Sequence, residues 1–324
     1  MQLFTRCVRD RRVQFVGILL TTALVACSSA TTSPSPTQTP QNIYVANSPG
    51  QSVTIYPAGA NGNVAPTATI SGASTTLDFP QGVALDTAGK IYVTNHANNS
   101  VTVFAAGASG NVAPIAAISG ASTGLSSPQG ITLDGIGNIY VANNTNSITI
   151  YSPGASGNAT PLGTISGAST GLNGTGSVAV AAGFIYATNF GGNSVTIYPV
   201  GGPFGNIAPS FTITGASTGL NSPDGVALDA AGKIYVSNFG GSVTVYSAGA
   251  SGNATPSATI SGASTGLNVP GDVALDAAGK IYVTNNGNST VTVYAAGANG
   301  NVAPIATISG ASTGINGPFG LDLH

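Results

Sequence analysis

From residue 41 onward the chain is a succession of short apolar runs, each bounded by Gly, Asn, Asp or Pro. Residues 80–134 show the unit. A Pro-x-Gly start leads into Val83-Ala84-Leu85, closed by Asp86; a turn then leads to Ile91-Tyr92-Val93. An Asn-rich turn precedes Val101-Thr102-Val103-Phe104, and a Gly-Asn turn precedes Pro114-Ile115-Ala116-Ala117-Ile118. Short runs rich in β-branched and aromatic residues, punctuated in this way, predict strands. None of them sustains the 3.6-residue period over the roughly ten residues that a helix needs. The turn between the third and fourth runs reads Ala-Asn-Gly-Asn or Ala-Ser-Gly-Asn, which predicts a hairpin with Gly at positive φ.

The unit repeats. Its Ile-Tyr pair falls at Ile43, Ile91, Ile139, Ile185, Ile234 and Ile281, in steps of 48, 48, 46, 49 and 47 residues. A period in this range, built from four short strands, is the pattern of a β-propeller with one blade per repeat. The alternative, a β-solenoid, has shorter repeats and needs no returning strand. Strands two, three and four each occur six times from Ile43 onward; strand one begins at Val83, Ile131, Val178, Val226, Val273 and Leu321. The chain therefore starts on strand two of a blade and ends on strand one. The expected fold is all-β: a six-bladed propeller over residues 41–324, with four antiparallel strands per blade. Its C-terminal strand pairs with the N-terminal three and closes the ring, which removes open sheet edges.

These repeats resemble the NHL type found in six-bladed propellers of bacterial secreted proteins. The resemblance rests on Pro-x-Gly-Val-Ala-Leu-Asp, Gly-Lys-Ile-Tyr-Val-x-Asn and Ser-Val-Thr-Val-Tyr, and it spans residues 41–324. It is specific for fold and weak for function, because related propellers include lyases, lactonases and binding scaffolds.

Residues 1–40 follow another pattern. Arg6, Arg9, Arg11 and Arg12 precede an apolar run from Val13 to Ala26, then Cys27. Fourteen apolar residues fall short of the roughly 20 that span a bilayer. A basic start, a short apolar run and small residues describe a secretory signal. Leu24-Val25-Ala26-Cys27 resembles the lipobox of bacterial lipoproteins, which implies signal-peptide residues 1–26 and acylation of Cys27. Residues 27–40, rich in Ser, Thr and Pro, read as a polar tether. The expected location is the cell envelope, exported and held to the membrane by lipid. Ser28 after the cysteine implies the outer membrane where the host has one.

Charge narrows the function. After residue 26 the chain has three lysines, eight aspartates, no Arg and no Glu, a net charge of −5. No basic footprint for nucleic acid exists. Cys7 lies in the signal and Cys27 is the lipid site, so no disulfide is expected in the propeller. The two histidines, His96 and His324, fit no nucleophilic triad. Resemblance to lactonase- and lyase-type propellers implies Glu in the catalytic centre, and this chain has none.

The remaining candidates are positional. Asp86, Asp134, Asp229 and Asp276 close strand one and read as turn formers, with Lys90, Lys233 and Lys280 placed to pair with them. Asp78, Asp224, Asp272 and Asp322 instead break the repeat, Asp78 in an inter-blade loop. Strand one lines the axis of a propeller, so Asp272 and Asp322 are candidate metal ligands, for Ca²⁺ above all, with solvated channel carboxylates as the alternative. The turns between strands two and three vary most from blade to blade, and variable loops on a rigid scaffold carry binding. They nominate His96, Phe190 and Phe239, with Asp224, as binding residues for a protein or polysaccharide. The leading expectation is a non-catalytic binding scaffold with no assigned catalytic residue. The alternatives are a metal-assisted lyase or hydrolase at the channel and a purely structural envelope protein.

Overall fold

A computed structural model describes residues 41–324, so the signal, Cys27 and the tether lie outside the described residues. Six four-stranded antiparallel sheets follow one another in a ring. Blade 1 joins both ends of the described chain: Pro318–Leu323, Ile43–Asn47, Ser52–Tyr56 and Ala68–Ser71, in that spatial order. Blade 2 is Pro80–Leu85, Ile91–Asn95, Ser100–Phe104 and Ala116–Ile118. Blades 3 to 6 open with Pro128–Leu133, Thr175–Ala181, Pro223–Leu228 and Pro270–Leu275. Closure occurs as the strand count predicts. Leu323 pairs with Ile43 and Leu321 with Val45, and Asn42 and His324 exchange two backbone hydrogen bonds at 2.6 and 3.0 Å.

The second and third strands are buried at nearly every position, for example throughout Ile43–Asn47 and Val53–Tyr56. Both faces of each blade press on a neighbour, so these runs are buried at consecutive rather than alternate positions, Thr54 and Asn47 included. The core is correspondingly a series of six layers between blades. One such layer packs Tyr44, Val53 and Ile70 of blade 1 against Val83, Val93 and Phe104 of blade 2.

Two expectations need correction. Strand one begins about three residues before the apolar run, at Pro80 and its equivalents, because a register shift interrupts the ladder between Pro80 and Val83. The shift sits where first strands converge on the axis. A Cβ on Gly82 would lie 2.5 Å from the carbonyl oxygen of Gln129 in the next blade, so that glycine is a requirement of close backbone approach.

The link from strand three to strand four is not a tight hairpin. It is a longer loop that reaches across to the previous blade. Gly110 has the expected positive φ, but it pairs with the outer strand of blade 1: its N–H donates to Thr69 at 2.6 Å and its carbonyl accepts from Ser71 at 3.2 Å. Asn111 Oδ1 then accepts from the N–H of Ser74 at 2.7 Å. The same Gly bridge recurs at all six seams. The near-constant Ala-x-Gly-Asn and Gly-Ala-Ser-Thr segments are thus two halves of one contact that covers each outer edge.

Candidate functional site

The alternation of strand directions gives the ring two faces. Turns between strands one and two and the three-to-four loops lie on one face. Two-to-three turns and inter-blade loops lie on the other, the variable face.

The first Asn of each variable turn is structural. Asn47, Asn95, Asn143, Asn189, Asn238 and Asn285 are all fully buried. Asn47 donates to Val45 O, Ser52 Oγ and Thr54 Oγ1 at 3.0–3.3 Å, and its Oδ1 accepts from the N–H of Asn316. A buried amide fully engaged in this way fixes the inter-blade loop and offers nothing to a ligand.

The residue that follows it is the surface position. Phe190 on blade 4 and Phe239 on blade 5 meet edge to face, with ring centroids 5.4 Å apart at 73°. Phe190 is exposed and Phe239 half-buried. Exposed Asn173 and Asn221 flank the pair, lying over the Gly191 and Gly240 turns. A Cβ at Gly240 would fall 2.2 Å from Asn221 Nδ2, so a larger residue there would displace that exposed amide. His96 occupies the equivalent position on blade 2, so the structure does not bring it to the Phe pair. It is half-buried, with Nδ1 enclosed and unpartnered, and its N–H donates to the carbonyl of Phe79 at 3.1 Å.

The axial mouth belongs to the same face. It is lined by the opening residues of the first strands, including Gln81, Asp224, Asp272 and Phe319. Below it the first strands enclose an axial cavity of about 220 Å³ whose exposed lining is mainly polar, with Asp272 and Asp322 on its border. Asp272 borders both spaces. Sequence reasoning missed Gln81 and Phe319. The variation at that one position (Gln81, Gln129, Gly176, Asp224, Gly271, Phe319) was the available signal.

Asp224, Asp272 and Asp322 stand on the first strands of three consecutive blades. Burial and the Asp272 charge push Asp224 up to about 7. Burial pushes Asp272 up to about 7 against two backbone N–H donors, with Asp322 adding to the rise. Asp322 rises to about 6, mainly through burial, again opposed by backbone donors. Each retains a partial opening toward the axis.

Asp272 and Asp322 are already engaged. Asp272 accepts from Val273 N–H at 2.9 Å and from Leu321 N–H, across the seam to blade 1, at 3.1 Å. Asp322 accepts from Leu323 N–H and, across the seam to blade 2, from Leu85 N–H, both at 2.8 Å. Among the described residues no group of three or more His, Cys, Asp or Glu is arranged to hold a metal ion.

On the opposite face the turn formers behave as the sequence predicts. Asp86 Oδ1 accepts from the N–H groups of Ala88 and Lys90 at 2.9 Å, and the same pattern recurs at Asp229 and Asp276. The lysines contribute their backbone N–H to these turns.

Residues 77–104 and 267–294 match the NHL repeat. No curated protein matches the chain by sequence. Among solved structures, a functionally unknown protein from Desulfotomaculum acetoxidans DSM 771 aligns at 14% identity and TM-score 0.55, covering 83% of this chain and 80% of its own. A protein of unknown function from Bacteroides caccae aligns at 10% identity and TM-score 0.62, over 88% and 99% of the two chains. A chain of a nidogen/laminin complex aligns at 15% identity and TM-score 0.60, over 87% and 98%. At these identities the likeness is one of fold.

Proposed function

We propose that this six-bladed propeller with NHL repeats is a non-catalytic binding module, exported and held at the cell envelope by lipid on Cys27. The ligand sits on the variable face, at the Phe190–Phe239 pair beside the axial mouth. One observation carries the reading. Two aromatic rings from neighbouring repeats meet on the face where the repeats differ, in positions that other blades fill with Ser48, His96, Asn144 and Asn286. Aromatic rings supply rigid contact area at low entropy cost, and the exposed amides around them supply hydrogen bonds. The pair and its flanking amides carry no charge, and with Asp224 at the adjoining mouth they suit a neutral polysaccharide or a polar protein segment.

The test is a thermal-shift panel of cell-wall fragments and neutral polysaccharides on the purified protein. A ligand at 100 times its Kd stabilises by about 2.7 kcal/mol. The expected result is a shift with one class of ligand that is lost in Phe239→Ala, without turnover of the ligand. A ligand-dependent shift that survives Phe190→Ala and Phe239→Ala together would remove this site.

A further inference from the structure

We propose that the face opposite the variable one rests on the membrane surface, so that the variable face points away from it. This rests on the lipid-anchor reading of Cys27. Four observations converge. First, the described chain enters on that face: Gln41 precedes strand two of blade 1 and lines a surface hollow together with the Asp229 and Asp276 turns of blades 5 and 6. The 14 residues of the tether, 27–40, therefore join the propeller there.

Second, five of the seven exposed large apolar side chains of the described propeller lie at that face. Ile115, Leu162, Phe211 and Ile305 stand where strand four begins on blades 2, 3, 4 and 6. Ile136 tips the one-to-two turn of blade 3 at 78% exposure. Ile115, Leu162 and Ile305 share one repeat position, which the other blades fill with Thr67, Ser210 and Ser257; Phe211 and Ile136 stand where other repeats have Ala or Gly.

Third, all three lysines after residue 26 are on the same face and exposed: Lys90, Lys233 and Lys280, each at the end of a one-to-two turn. Fourth, the aspartates of those turns are folded back. Asp86, Asp229 and Asp276 direct one oxygen to turn N–H groups and the other to the hydroxyl of Tyr92, Tyr235 or Tyr282. Asp134 is held in the same way in the blade 3 turn, where Asn138 replaces the lysine, so the face carries three exposed lysines and four aspartates that are each folded into their own turn. Exposed apolar tips with lysines among them, beside the attachment point of an acylated tether, match a lipid interface.

The distribution of lysine allows a direct test. The full-length protein, processed in its host and reconstituted in vesicles of phosphatidylethanolamine and phosphatidylglycerol, is treated with a membrane-impermeant amine reagent. The variant Asn144→Lys places a reporter amine on the variable face, at an exposed residue. The expected result is flotation of the protein with vesicles and labelling of Lys90, Lys233 and Lys280 slowed about tenfold relative to protein cut free in the tether, with the residue-144 reporter unslowed. The triple variant Ile115→Ser, Ile136→Ser, Leu162→Ser should still float but lose the protection. Flotation with equal labelling on both faces overturns the orientation and leaves the anchor intact. Failure of the wild type to float overturns the anchor reading, and the proposal with it.

Discussion

Asp322, on the last strand of the chain, accepts a hydrogen bond from the N–H of Leu85 at 2.8 Å, across 237 residues of sequence. The bond crosses the seam between blades 1 and 2, which lacks a hydroxyl clasp found at most other seams. At four seams a hydroxyl on strand two clasps the next blade. Thr94 donates to Gln129, Thr188 to Asp224, Ser237 to Gly271 and Thr284 to Phe319. Blade 1 has Ala46 at that position and blade 3 has Ala142, and neither has a hydroxyl to donate. The Asp322 carboxylate thus ties blade 2 to the closing strand, while Asp272 ties the same strand to blade 6.

Replacing Asp322 by Ala leaves the Leu85 N–H without its partner and loosens closure. A loss of about 1–3 kcal/mol is expected in denaturant unfolding. A change below a few tenths would show that water replaces the carboxylate without penalty.

Acidity should stabilise this protein over the mild range. Asp224, Asp272 and Asp322 have folded pKa values of about 7, 7 and 6, above the unfolded value of about 3.9. A group whose pKa rises on folding contributes stability that is present below its unfolded pKa and is lost as pH climbs through the folded one. The melting temperature at about pH 5 should therefore exceed that at about pH 8. An unchanged or rising value toward pH 8 would mean that water in the channel solvates these carboxylates fully.

Asp224 separates from the other two, because no hydrogen bond to its carboxylate is seen. Gln81 and Gln129 hold the equivalent position in blades 2 and 3. Asp224→Gln should stabilise the protein by on the order of 1 kcal/mol at about pH 8, allowing for the partial opening to water, and by much less at about pH 5. Equal effects at the two pH values would point to packing rather than charge.

Tyrosine closes strand three in five blades, and its hydroxyl donates to an inter-blade Thr carbonyl. Tyr56 reaches Thr313 at 2.5 Å, Tyr151 reaches Thr123 at 2.6 Å and Tyr246 reaches Thr218 at 2.6 Å. Phe104 is the exception, and Thr75 is the carbonyl left without that donor. Phe104→Tyr should add about 0.5–1.5 kcal/mol of stability, read by thermal or denaturant unfolding. Destabilisation would show that the Phe104 pocket has closed over the missing oxygen.

The features legible in the sequence are those that repeat. Ile43, Ile91 and their equivalents set the blade count, because each repeat must bury the same strand surfaces between neighbours. The turn role of Asp86 was legible too, since an Asp bonding two N–H groups within four residues is a local event. The nomination of Phe190 and Phe239 came from variation between repeats. That they touch did not, because blades 4 and 5 bring together residues 49 apart in the chain.

The sequence by itself determined the all-β class, the six blades and the closure by Leu321-Asp322-Leu323, because strand periodicity and turn chemistry are local and are written six times over. Only the tertiary structure decided that Gly110 and Asn111 cover the edge of the previous blade rather than turn a hairpin, that Asn47 and its equivalents are buried, and that Asp272 and Asp322 clasp the closing strand. Those roles depend on which backbone groups the neighbouring blade presents. That is set by the curvature of the ring, which no single repeat contains.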